Sequence, residues 1–186
     1  ELREIKLQNK PSELINISSK ATVPLLVLSK NRIIEESLDI IRNYLSASYV
    51  KKLGANENTA WEIIKNLDFR FKINLDKYKY PSRYKNCDSE IHRDRNISFL
   101  AKIDKILQNN KFLFSDDIGF VDYCIFPFIR QFRNVNIKWF EGLNYKSLNN
   151  WFYNISNSEE FRDIMKKYKV WEPNDKPIIT NFINND

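Results

Sequence analysis

Glu36 and Ser37 stand together where a helical period begins, with Leu38, Ile41 and Leu45 recurring at three- and four-residue intervals and Asp39 and Arg42 outside. The first turn of a helix carries unpaired N–H groups and a partial positive charge, so it can hold a carboxylate, and an adjacent glutamate can face an ammonium group. A Glu-Ser pair at such a place is also often no more than a cap. Lys10 stands just before a short helix expected from about Pro11 to Ser18, either as a solvated cation or as the partner of an anion. Between two apolar stretches lies Val23-Pro24, a step that is trans in most folded proteins, with only ~5 to 6% of X-Pro bonds cis.

The remaining reactive side chains point away from metal chemistry. Cys87 and Cys124 lack paired metal-ligand spacing, and His92, the single histidine, does not complete a zinc site with them. Cys124 reads as a small core residue and Cys87 as a loop thiol. Asp122 in an apolar helix is costly to bury without partners, so the expectation is structural: its carboxylate accepts backbone N–H groups at the helix start near Gly119.

The chain of 186 residues carries a net charge of +6, which raises the question of phosphate binding. Its lysines and arginines are spread among 24 acidic residues, which favours a solvated surface over a concentrated basic face. The densest exception is Lys77, Tyr78, Lys79, Tyr80, Arg83, Tyr84 and Lys85, where cations and rings interleave around Pro81; this leaves nucleic acid as a minor reading. Apolar runs are too short to span a membrane and no secretory signal is visible, so a soluble cytoplasmic protein is expected.

The elements that must position these residues follow from periodicity. Leu2 to Leu7 ends in alternation and reads as a short strand, and Leu14, Ile15 and Ile17 give the helix after Pro11 an apolar side. Leu25 to Leu28 is a continuous apolar strand that implies burial on both faces, and it is joined through Ser29-Lys30-Asn31 to Arg32-Ile33-Ile34-Glu35 as an antiparallel hairpin. Residues 47–56 read as a linker. Beyond it, Thr59 and Glu62 match a capping box, and Ala60, Ile64, Leu67, Phe71 and Leu75 form a stripe that lasts to Tyr80-Pro81. A second long helix is marked by Ile91, Phe99, Ile103, Ile106 and Leu107. A third, apolar nearly all round, starts at Gly119 and runs from Phe120 to Phe132, with a bend expected at Pro127. Two shorter helices carry Leu148, Trp151, Phe152 and Ile155, then Phe161, Ile164, Met165 and Tyr168.

The order strand, helix, Val-Pro step, hairpin, Glu-Ser helix start and all-helical remainder resembles the glutathione transferase superfamily. Asn9-Lys10-Pro11 through Ala21-Thr22-Val23-Pro24-Leu25-Leu26-Val27-Leu28 to Glu36-Ser37 is similar to its omega-like and related bacterial members. Asp122-Tyr123, Phe126-Pro127-Phe128 and Arg130-Gln131-Phe132 resemble the central helix of bacterial members. The resemblance implies an α/β thioredoxin-like glutathione-binding domain over residues 1–46, incomplete at its start, and an all-α helical bundle over 57–186. It also implies that Val23-Pro24 is cis, so that the Val23 main chain can pair with glutathione as an added strand would. Ser37 and the helix start would then hold the γ-glutamyl carboxylate, Glu36 would face its ammonium group, and Lys10 would meet the glycyl carboxylate. Gly119 stands where the family usually has Ser or Thr.

What the resemblance implies for activity is glutathione conjugation to small electrophiles, or thiol transfer with a disulfide substrate, by a homodimer without metal. The family's thioredoxin-like half begins with a strand and helix ahead of the segment matching Leu2 to Leu7, and the activating residue lies at the end of that strand. It is therefore expected upstream of Glu1, a cysteine in omega-like members and serine or tyrosine in others. The second substrate would meet a wall near Trp61, Phe69 and the central helix. The alternative is a protein that keeps the fold for docking without the chemistry, as some bacterial relatives dock on RNA polymerase.

Overall fold

In the computed structural model, which describes residues 1–44 and 57–180, Pro11 opens α1 (Ser12–Ile17), its fixed φ suiting the position ahead of a first turn. Only Leu14 of this short helix is buried, while Ile15 and Ile17 are exposed, so the apolar side read from the sequence is narrower than expected. Strands β1 (Leu26–Ser29) and β2 (Arg32–Ile34) form the expected antiparallel hairpin, with Leu26 opposite Ile34 and Val27 opposite Ile33. The two-sided burial of β1 is not found: Val27 is 48% and Leu28 37% exposed, and since neighbouring strand residues point to opposite faces, both faces of β1 are open among the described residues. The helix α2 (Ser37–Tyr44) follows, with Glu36 supplying the carbonyl that accepts the first helical bond from Ile40 at 2.9 Å.

Leu2 to Leu7 does not join that sheet as a regular strand. It makes isolated bridges instead, Leu2 to Ile178 and Glu4 to Val170, with Lys6 closing a turn on Asn9. Leu2 donates its N–H to the Ile178 carbonyl at 2.8 Å, and Trp171 donates to the Glu4 carbonyl at 2.8 Å, so the backbone groups of this segment find partners in the C-terminal tail. The Arg3 guanidinium lies 4.4 Å from the centre of the Trp171 ring. Accordingly the described residues divide into two units, 1–44 with 163–180, and 57–162. The sequence reading places the tail with the helical domain; the structure groups it with the N-terminal unit. The linker expected at 47–56, and Leu45, lie outside the described residues.

The second unit is all helical. α3 (Glu57–Asn66), a π-helical turn (Leu67–Phe71) and α4 (Lys72–Lys79) run on continuously. The stripe Ala60, Ile64, Leu67, Phe71 and Leu75 is buried throughout, each large side chain stabilising by roughly 1.5–3 kcal/mol. The capping box at Thr59 and Glu62 does not form as read, because the helix already starts at Glu57 and puts Thr59 inside its first turn. The second long helix is two, α5 (Ser89–Asp94) and α6 (Ile97–Ile106). The break is at Asn96, a buried amide whose Nδ2 donates to the Phe71 carbonyl of the π turn at 3.2 Å, a tertiary bond that a continuous surface helix would not offer. Beside it, Asn74 donates to the Arg70 carbonyl and its oxygen meets His92 Nδ1 at 2.8 Å, which makes Nδ1 the protonated nitrogen. Burial, then Lys77 and Arg95, hold His92 below its ordinary value.

The central helix α7 (Phe120–Val135) buries Val121, Ile125, Ile129 and Phe132, and includes Pro127. A short helix that the periodicity did not reveal, α8 (Ile137–Gly142), buries Phe140. α9 (Lys146–Ser156) buries all four residues expected of it, and Asp104 of α6 accepts the Leu148 N–H at its start at 2.8 Å. α10 (Glu159–Ile164) begins after Ser158, whose hydroxyl accepts the Phe161 N–H at 3.1 Å. Ile164 and Met165, expected on its apolar face, are exposed.

Candidate functional site

The site residues of the first unit lie on loops at the ends of α1, β1 and α2. The Val23-Pro24 peptide is cis. Val23 is 44% exposed, and its N–H and C=O make no hydrogen bond among the described residues. An exposed residue with both main-chain groups open is what an extended peptide needs in order to pair with it as a further strand would.

The loop ahead of Val23 is held from inside. Ser18 is 2% exposed, and its hydroxyl both donates to Glu35 Oε1 at 2.5 Å and accepts the Ala21 N–H at 3.0 Å. The Ala21 N–H also reaches the Ser18 carbonyl at 3.1 Å, closing a turn in which Ala21 takes φ 47°. Lys20 extends from the same loop to Glu35 Oε2 at 3.8 Å and to Glu36 Oε1 at 3.6 Å. Three charges of alternating sign therefore sum to minus one beside the start of α2.

Glu36 and Ser37 are exposed there, Glu36 as the residue preceding the helix and Ser37 as its first. The Ser37 hydroxyl makes no hydrogen bond among the described residues, and the first amides of any α-helix have no carbonyl behind them. A carboxylate could take these donors while an ammonium group takes Glu36 in place of Lys20. Lys10, half-buried just before Pro11, forms no hydrogen bond or ion pair among the described residues. The structure thus links Glu36 to the loop that carries Val23 through Lys20, whereas no bond links Lys10 to either. Ser18, Lys20 and Glu35 were not legible as site residues: they sit up to 17 positions apart and carry no periodic signal.

In the second unit Asp122 is fully buried. Its Oδ1 accepts the Leu113 N–H at 2.9 Å and the Trp151 indole N–H at 2.7 Å, and its Oδ2 accepts the Gly119 N–H at 2.8 Å. Burial outweighs these three bonds and pushes its pKa up to about 6. Most of its acceptor capacity is spent on structure and the carboxylate is fully buried, so it is not placed to meet a substrate. Trp61 packs edge-on against Phe120 at 5.9 Å, and Phe69 is 78% exposed.

The basic and aromatic cluster around Pro81 satisfies itself. Arg83 lies 3.9 Å from the Tyr80 ring centre and Lys77 5.5 Å from that of Tyr84, Asp76 accepts from both Arg83 and the Tyr84 hydroxyl, and Lys79 reaches Gln131 at 3.3 Å. Tyr78 is buried. Rings already covered by their own cations are poor platforms for stacking bases. Among the described residues no three His, Cys, Asp or Glu side chains gather around one metal-sized space.

Residues 67–159, half of the chain, match the family described as glutathione S-transferase, C-terminal domain. Among solved structures, a class Gtt2 glutathione S-transferase of Vibrio parahaemolyticus is similar over 87% of this chain and 80% of its own, at 24% identity and a TM-score of 0.64. Poplar glutathione transferase F1 is similar over 84% of this chain and 78% of its own, at 19% identity and a TM-score of 0.62. At such identities these likenesses speak for the fold. Among curated proteins none matches the sequence.

Proposed function

This chain belongs to the glutathione S-transferase superfamily, and from that membership we propose that its N-terminal unit binds glutathione for conjugation to small electrophiles or for transfer to a disulfide substrate. The observation that carries the reading is the open main chain of Val23 beside a cis proline, in the same unit as a Glu-Ser helix start. Glutathione is an extended tripeptide with a zwitterionic γ-glutamyl end and a carboxylate at the other.

In this reading the cysteinyl main chain of the ligand pairs with the N–H and C=O of Val23. Ser37 and the first amides of α2 hold the γ-glutamyl carboxylate, and Glu36 takes the ammonium group, exchanging it for Lys20. Lys10 meets the glycyl carboxylate as a point charge. These residues bind and orient; they fix the thiol in one place so that its reaction partner need only be brought to it. The reading includes a cytoplasmic homodimer, the habit of this family, and no helix among the described residues is long and apolar enough to cross a membrane.

Retention on immobilised glutathione tests this. The protein should bind and be released by free glutathione. A protein that has kept the fold only for docking would pass straight through, and that result would remove the reading.

A further inference from the structure

Ser18 is a buried hydroxyl in an irregular loop, and it is used twice, towards Glu35 and towards Ala21. Its partner Glu35 joins two stretches of chain. On one side is the loop 18–23, ending at Val23; on the other is the junction of β2 and α2 that carries Glu36 and Ser37. The second carboxylate oxygen of Glu35 takes Lys20, which reaches Glu36 as well, so the two stretches are tied at three points. A hydroxyl-to-carboxylate bond of this kind is stronger than a neutral one, whereas the exposed Lys20 pairs contribute little alone and act by steering the charges.

We infer that Glu35 is a positioning residue: held by Ser18 and Lys20, it fixes the separation between the Val23 main chain and the Glu36–Ser37 helix start, and with it the affinity for a ligand that must reach both. This rests on the glutathione reading above and adds to it a residue outside the binding groups themselves. The hairpin register, Leu26 to Ile34 and Val27 to Ile33, does not depend on the tie. Nor does the turn, because the Ala21 N–H retains the Ser18 carbonyl when the hydroxyl is removed. Losing the tie should loosen the spacing and leave the fold.

The experiment is calorimetric titration of glutathione into the full chain and its Ser18→Ala, Glu35→Gln and Glu36→Gln variants, with thermal melting of each. Ser18→Ala removes the hydroxyl; Glu35→Gln keeps an acceptor for Ser18 and discards the attraction for Lys20, so one variant stands if the other folds poorly. Free glutamate, which reaches the helix start alone, is the control, followed by the Ser37 amide shift in NMR titration. The expected result is glutathione bound about tenfold more weakly by Ser18→Ala, equivalent to about 1.4 kcal/mol, and weakened by a smaller factor in Glu35→Gln, which keeps the Ser18 bond, with glutamate affinity unchanged in both. Equal losses for both ligands would make the cluster merely structural and overturn the inference. Unchanged glutathione affinity in both variants, with Glu36→Gln weakened, would overturn it while leaving the glutathione reading in place. No measurable binding of glutathione by the wild type would remove that reading itself.

Discussion

Trp151 donates its indole N–H to Asp122 Oδ1 at 2.7 Å, tying the middle of α9 to the first turn of α7. With Leu113 and Gly119 also donating to it, this one carboxylate collects three donors from three segments of the helical unit. Asp122→Ala orphans all three, two of them fully buried and the Gly119 amide partly so. We expect a loss of about 3 kcal/mol or more in urea unfolding, since each buried donor left unpaired costs about 1–3 kcal/mol. Trp151→Phe orphans none of the backbone donors and should cost less; an Asp122→Ala variant within 1 kcal/mol of the wild type (a bound set by that same scale) would contradict the bonding described.

The same carboxylate gives the unit a pH dependence with a definite sign. Its folded pKa, about 6, lies above the ordinary value of 3.8, so the folded state holds the proton more tightly than the unfolded one. The stabilising contribution is full below the unfolded value and is lost as pH rises through the folded one. Between about pH 4 and pH 6.5 the wild type should lose roughly 2 kcal/mol relative to Asp122→Asn, which has no proton to exchange at this position. Urea titrations at stepped pH measure the difference; a gap that widens in the wild type's favour with rising pH would show the sign to be wrong.

Gly119 caps α7 from an extended backbone, φ −123° and ψ −179°, which any residue adopts. A Cβ there would lie 3.5 Å from Asp122 Oδ2, an ordinary contact. Gly119→Ser should therefore complete the reciprocal cap and raise stability by a few tenths of a kcal/mol. A clear drop in thermal midpoint would mean that the site has no room for the hydroxyl.

In the N-terminal unit the tail acts as a clasp on residues 2–4 through Trp171. Removing the indole in Trp171→Ala takes away the ring beneath Arg3, a contact of about 0.5–1 kcal/mol or more. Amide exchange at Leu2, which bonds to Ile178, should quicken several-fold, while the buried amides of α7 keep their protection. Exchange at Leu2 that is indifferent to Trp171 would show that the clasp does not hold the segment.

How far the sequence carried these results depended on whether a signal was local. The stripe from Ala60 to Leu75 was readable because burial repeats with the helical period, although the same continuity concealed the π turn between Leu67 and Phe71. Asn96 breaks a helix by reaching a carbonyl 25 residues away, and no local pattern records that. Val27 and Leu28 looked like buried strand because their composition is that of a sheet interior, whatever does or does not lie against them. Glu36 and Ser37 were visible from the change of period at a helix start. Glu35 was not, since its role comes from Ser18 and Lys20 across a loop.

Amide exchange at Val23, with and without glutathione, tests the central claim most directly. That amide has no acceptor among the described residues and should exchange freely in the ligand-free protein. Saturating glutathione should slow it at least tenfold, about 1.4 kcal/mol of added protection, as the cysteinyl carbonyl takes the bond. A Val23 amide that exchanges at the same rate in both would contradict the account.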